Sequence, residues 1–68
     1  MRKIDKAYGE FFDNEELDLS GATILNCSFH ACKIELHAPA WSYQNSFDDK
    51  CAFNVAAQEI WKYLVNPV

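Results

Sequence analysis

Four residues within eleven positions have the chemistry to hold a metal: Cys27, His30, Cys32 and His37, with Cys51 as a fifth candidate. Thiolates and imidazoles are the ligands of tetrahedral zinc sites. The spacing here is C-x2-H-x-C-x4-H, which differs from the paired spacings of fingers and knuckles. In an extended strand Cys27 and His30 also point to opposite faces. The pattern reads better as two small core cysteines and two surface histidines, so no cofactor is expected. A zinc-stabilised adaptor, unfolded by chelator, is the alternative this set leaves open.

A cysteine and a histidine could equally form a nucleophile and its base. Thiols on an apolar face have a raised pKa and are inert. The chain contains no G-x-S-x-G, P-loop, H-E-x-x-H or G-x-G-x-x-G pattern. A paired-carboxylate hydrolase would need a cleft that 68 residues can hardly form. No enzyme is expected.

Binding chemistry is better represented. EFFDNEELD places Glu10, Asp13, Glu15, Glu16 and Asp18, five acids in nine residues, beside Phe11 and Phe12. It reads either as a solvated connector or as a negative patch that engages a basic groove. The spaced calcium loop is absent. Trp41 and Tyr43 share a face if Trp-Ser-Tyr is extended. Trp61 sits between the apolar and polar stripes of a C-terminal helical pattern. Tryptophan and tyrosine bury large areas at little entropic cost, which makes all three candidate anchors for a partner.

These residues must be positioned by one small domain, residues 1–68. A chain this short is marginal unless its core is unusually apolar or a partner completes it. Half the residues are hydrophobic and 15% aromatic, which argues against disorder and for an interface. Net charge is −4, while MRKIDK alone carries +2, leaving −6 on the rest. An acidic chain is a poor direct binder of nucleic acid. It suits a protein partner with a basic surface. Three cysteines cannot all pair within one chain. MRKIDKAYGEFF has no apolar signal region, and no run approaches the roughly 18 apolar residues of a membrane span. A cytoplasmic protein with reduced thiols and no membrane contact is expected.

Ile4, Tyr8, Phe11 and Phe12 have the offsets of a short amphipathic helix. Phe53, Ala57, Ile60 and Leu64 predict a longer one over about 48–65. Between them, LDLSGATILNCSFHACKIEL has two readings. Cys32, Ile34 and Leu36 alternate with Lys33, Glu35 and His37, as in an antiparallel hairpin with Thr23, Leu25, Cys27 and Phe29 facing the core. The same stretch also has period five. Its third positions are Leu19, Ile24, Phe29 and Ile34; its first positions are Leu17, Ala22, Cys27 and Cys32. This resembles the pentapeptide-repeat proteins over about 20 of the 68 residues. The resemblance implies a four-sided parallel coil with both sets of residues inside. The two readings disagree on one pair: the coil buries Ile24 and exposes Leu25, and the hairpin does the reverse.

The hairpin is favoured, because one solenoid turn cannot bury its own ends. The expected fold is therefore α+β: a short N-terminal helix, a hairpin or small sheet at about 17–37, and the C-terminal helix. The alternative is one coil turn at 17–36 capped by that helix. The expected function is binding, as an inhibitor or modulator of a larger protein. In size and charge the chain resembles small phage or mobile-element anti-defence proteins such as anti-CRISPRs. That resemblance implies competition with nucleic acid for a basic groove. The alternative is a self-assembling structural module, a homodimer formed by stacking of the coil.

Overall fold

Short strands of one design dominate the computed structural model, which describes residues 1–66. A three-residue strand can bury only its middle side chain, because side chains alternate. Strands β2 (Lys6–Tyr8), β3 (Phe11–Asp13) and β4 (Glu16–Asp18) do so with Ala7, Phe12 and Leu17. Strands β5 (Thr23–Leu25), β6 (Ser28–His30) and β7 (Lys33–Glu35) do so with Ile24, Phe29 and Ile34. Two-residue strands β1 (Arg2–Lys3), β9 (Ser46–Phe47), β10 (Ala52–Phe53) and β11 (Leu64–Val65) and the longer β8 (Ala40–Tyr43) complete the set.

Every pairing is parallel. The first face is β1-β4-β7-β10, the second β2-β5-β8-β11 and the third β3-β6-β9. The chain visits the three in turn, so the molecule is a β-solenoid. Like residues stack along it: Ala7 on Ile24, Leu17 on Ile34, Phe12 on Phe29 and Phe29 on Phe47.

The corners explain the five-residue period. Gly9, Asn14, Asn26, Ala31 and Gln44 each follow a strand directly, with φ between 52° and 62°. One left-handed residue turns the chain, and one more leads into the next strand. Asparagine tolerates this region and glycine adopts it freely. Ala31 has neither advantage; its N–H donates to Asp48 Oδ1 at 3.1 Å. Corner amides otherwise bond to the next turn, as Gly9 N–H does to Leu25 O at 2.9 Å and Asn26 N–H to Tyr43 O at 3.0 Å. Asn45 does the same with its side chain. It accepts from Cys27 N–H at 2.8 Å and donates to Ile24 O at 2.8 Å.

The α+β expectation is overturned. No strand between 17 and 37 pairs with its sequence neighbour; β6 lies between β3 and β9, and β7 between β4 and β10. Ile24 is 0% exposed and Leu25 is only half-buried, as the coil requires. The coil nonetheless differs from the period-five register. Strand centres step by five from Ala7 to Leu17, then by seven to Ile24, because residues 19–22 form a long corner. Leu17 is therefore a strand centre and Leu19 packs in the corner, both fully buried. The fourth side of the expected coil is reduced to this corner and its counterpart at 36–39.

Neither expected helix forms as drawn. The N-terminal stripe is split: Ile4 and Phe12 are buried, while Tyr8 and Phe11 point outward. At the C-terminus only a 3-10 turn, Ala57–Glu59, and α1, Ile60–Tyr63, are helical. Phe53 pairs with Ile34, and Leu64 with Ala40, so sheet pairing overrides the helical stripe. The coil is thus not one turn under a helical cap. It runs from Arg2 to Val65, which meets the objection that a single turn leaves its ends open. No helix among the described residues is long and apolar enough to cross a membrane.

Candidate interaction faces

Alternation puts the first and third residues of each strand outside, so each face carries two columns. The first face is charged. Lys3, Asp18 and Glu35 align in one column and Glu16 and Lys33 in the other. The second face is mostly apolar. Tyr8, Leu25 and Tyr43 form one column, and Lys6, Thr23, Trp41 and Val65 lie in the other. The third face is mixed, with Phe11, Ser28 and Ser46 in one column and Asp13 and His30 in the next.

His30 is held between two carboxylates from neighbouring turns. Its Nδ1–H donates to Asp48 Oδ2, and its Nε2 lies 3.9 Å from Asp13 Oδ1. In an acyl-transfer triad that second nitrogen faces a hydroxyl or thiol. Here it faces a carboxylate, so the arrangement acts as a polar clasp between turns.

The five acids do not gather. Glu10 and Glu15 occupy corners, Asp13 lies on the third face, and Glu16 and Asp18 lie on the first. Glu15 pairs with Arg2 at 3.4 Å, and Arg2 in turn sits over the Phe12 ring, 5.3 Å from its centroid. Trp41 and Tyr43 do share a face, with Trp41 51% exposed and Tyr43 half-buried. Trp61 is 71% exposed on α1, apart from those strands, with Lys62 Nζ 5.8 Å from its ring.

The candidate zinc ligands diverge. Cys27 and Cys32 point into the core, where their thiols meet carbonyls of Leu25 at 3.4 Å and Phe12 at 3.5 Å. His30 is outside on the third face, and His37 is exposed beside Glu35 at 3.1 Å. Among the described residues no group of three or more candidate ligands could hold a metal ion. Cys51 is half-buried, and burial pushes its thiol up, away from reactivity at neutral pH.

Tyr8, Leu25 and Asp48 were not among the sequence candidates, and His30 was one only as a metal ligand. For Tyr8 and Leu25 the available signal is the three-residue strand itself, which exposes both flanks of a buried centre. The meeting of His30 and Asp48, eighteen residues apart, leaves no local trace.

Asp48 supports the fold electrostatically. The Ala31 N–H, the partly opposing effect of burial, and His30 together hold its carboxyl down at about 2. Asp18 is also lowered, by the Ser20 hydroxyl and backbone N–H. As pH falls, the unfolded chain protonates these groups first. Their contribution is complete above the ordinary value of 3.8; Asp48's share is lost as pH falls through about 2, and Asp18's as pH falls through its own lowered value. Urea midpoints measured across this window should drop steeply for the wild type and less for Asp48→Asn. Parallel profiles would contradict this account.

No family model, curated protein or solved structure matches the chain.

Proposed function

We propose that the chain is a structural module that self-associates by stacking its coil, end on end, with a second copy. The observation that carries this reading is the difference between the two ends of the core. At the N-terminal end Ile4, Ala7 and Phe12 are buried, with Arg2 laid across the Phe12 ring. At the other end Phe47, Phe53, Val55, Tyr63 and Leu64 pack against the core but are only half-buried. Here β9, β10 and β11 are edge strands, as β1, β2 and β3 are at the N-terminal end, so the ends differ in how well their apolar side chains are covered. A two-fold contact between two such ends is self-complementary and removes this apolar surface from water.

Sedimentation equilibrium over about a hundredfold range of concentration tests this, with Tm rising as the dimer fills. Val55→Glu places a charge at the contact and should give a folded monomer. Trp41→Ala, on the side of the coil, should leave the dimer intact. A wild type that stays monomeric throughout, or a Val55→Glu dimer of unchanged strength, would overturn the proposal.

A second reading is favoured by the second face. Tyr8, Leu25, Tyr43 and Trp41 make an outward apolar surface that suits side-on binding to a larger protein, as a modulator would require. In that case Trp41→Ala, rather than Val55→Glu, is the damaging change.

A further inference from the structure

The three thiols of the chain are all free, and the strand register sets two of them level. We propose that Cys32 and Cys51 are a latent disulfide pair, joined across neighbouring turns when hydrogen peroxide oxidises the native protein.

Ala52 of β10 pairs with Lys33 of β7, and the Ala52 N–H donates to Cys32 O at 2.9 Å. The residues just before them, Cys51 and Cys32, are therefore neighbours on adjacent rungs. Rungs of a sheet lie roughly 4.8 Å apart, inside the Cα spacing that a disulfide spans. The side chains share a direction as well. Cys32 Sγ lies 3.5 Å from Phe12 O, and Cys51 Sγ lies 3.3 Å from Phe29 O. Phe12 and Phe29 are themselves rung partners, so the two thiols occupy the same site one turn apart. Contact is direct too: the Cys32 N–H donates to Cys51 Sγ at 3.5 Å. Rotation about the Cα–Cβ bond of Cys32 turns its sulfur towards Cys51. Cys27 has no such partner. Its rung neighbour is Asn45, whose side chain accepts from the Cys27 N–H.

Burial fixes the order of events. Cys51 is half-buried and Cys32 fully buried, so peroxide meets Cys51 first. The Cys51 thiolate attacks one peroxide oxygen, the O–O bond breaks, and hydroxide leaves and takes up a proton as water. Cys51 is then a sulfenic acid. The Cys32 sulfur attacks the Cys51 sulfur and gives up its proton, and the sulfenic hydroxyl departs with that proton as a second water. Two thiols and one peroxide thus become one disulfide and two waters. Burial holds the Cys51 thiol protonated at neutral pH, so the first step is slow there and quickens in mild alkali. The bond lies within one chain and does not depend on end-stacking. It ties the last turn, which carries the half-buried apolar end, to the turn beneath it.

Peroxide treatment of the native protein in mild alkali tests this, with the remaining thiols alkylated and the products mapped by peptide mass spectrometry. A Cys32–Cys51 link within one chain is expected, with Cys27 alkylated. Cys51→Ser should abolish the link, and Cys27→Ser should leave it. The same treatment in urea supplies the contrast: without rungs, the short loop between Cys27 and Cys32 closes most readily. The linked protein should melt at least about 5 °C higher, because the bond closes a loop of about 20 residues in the unfolded chain. No link, a link to Cys27 in the native protein, a bond between two copies, or a linked protein whose Tm does not rise would overturn the proposal.

Discussion

Replacing Phe29 by alanine is expected to unfold the protein. Phe29 is the middle ring of a column that runs through the coil. It stacks on Phe12 at 4.9 Å and on Phe47 at 4.5 Å, each within 10° of parallel, and Phe47 meets Phe53 edge-on at 5.3 Å. Truncating a buried phenylalanine costs about 3–5 kcal/mol. A chain of 68 residues has a total stability of only about 3–10 kcal/mol. The loss is therefore of the same order as the whole. Each turn is also the template for the next, so the void cannot be closed by moving one turn alone. Amide dispersion in the NMR spectrum and the urea midpoint read the result. Phe11→Ala, one position from Phe12 but outside, should stay within about 0.5 kcal/mol of wild type. A Phe29→Ala protein with wild-type dispersion and midpoint would sink the aromatic column as the source of stability.

The second large effect separates two adjacent residues. Ile24→Ala should cost about 2–5 kcal/mol, because Ile24 is fully buried between Ala7 and the turn above it. Leu25→Ala removes an outward, half-buried side chain and should cost about 1 kcal/mol. An antiparallel hairpin would reverse the order. Urea denaturation of the two variants therefore distinguishes the architectures without a further structure, and a larger loss at Leu25 would contradict the coil.

The sequence carried more of the local geometry than of the global path. Period five correctly marked Ile24, Phe29 and Ile34, and with them the small inward residues Ala22, Cys27 and Cys32. It gave Leu19 the place that Leu17 holds, because a four-residue corner is invisible to a fixed period. The helical stripes failed for a physical reason. Phe53 and Leu64 sit eleven apart, a helical spacing, yet their partners Ile34 and Ala40 lie nineteen and twenty-four residues upstream. Parallel pairing at that distance outweighs local propensity and leaves no nearby pattern. The surface was legible in the same uneven way. Alternation was enough to place Trp41 and Tyr43 together. The acids from Glu10 to Asp18 looked like a patch, but a coil that turns every five residues deals consecutive residues to different sides.

The parallel ladders bear on how the chain reaches this state. Partner strands are separated by fifteen to twenty-four residues throughout, with no tight hairpin among the described residues to start from. Loop closure must precede every gain, which raises the kinetic barrier. Small proteins with such non-local topologies fold in about milliseconds to seconds rather than microseconds. Until a full turn has left the ribosome, the emerging chain has no partner strand to meet. Pairing can therefore begin only when the second circuit emerges beside the first.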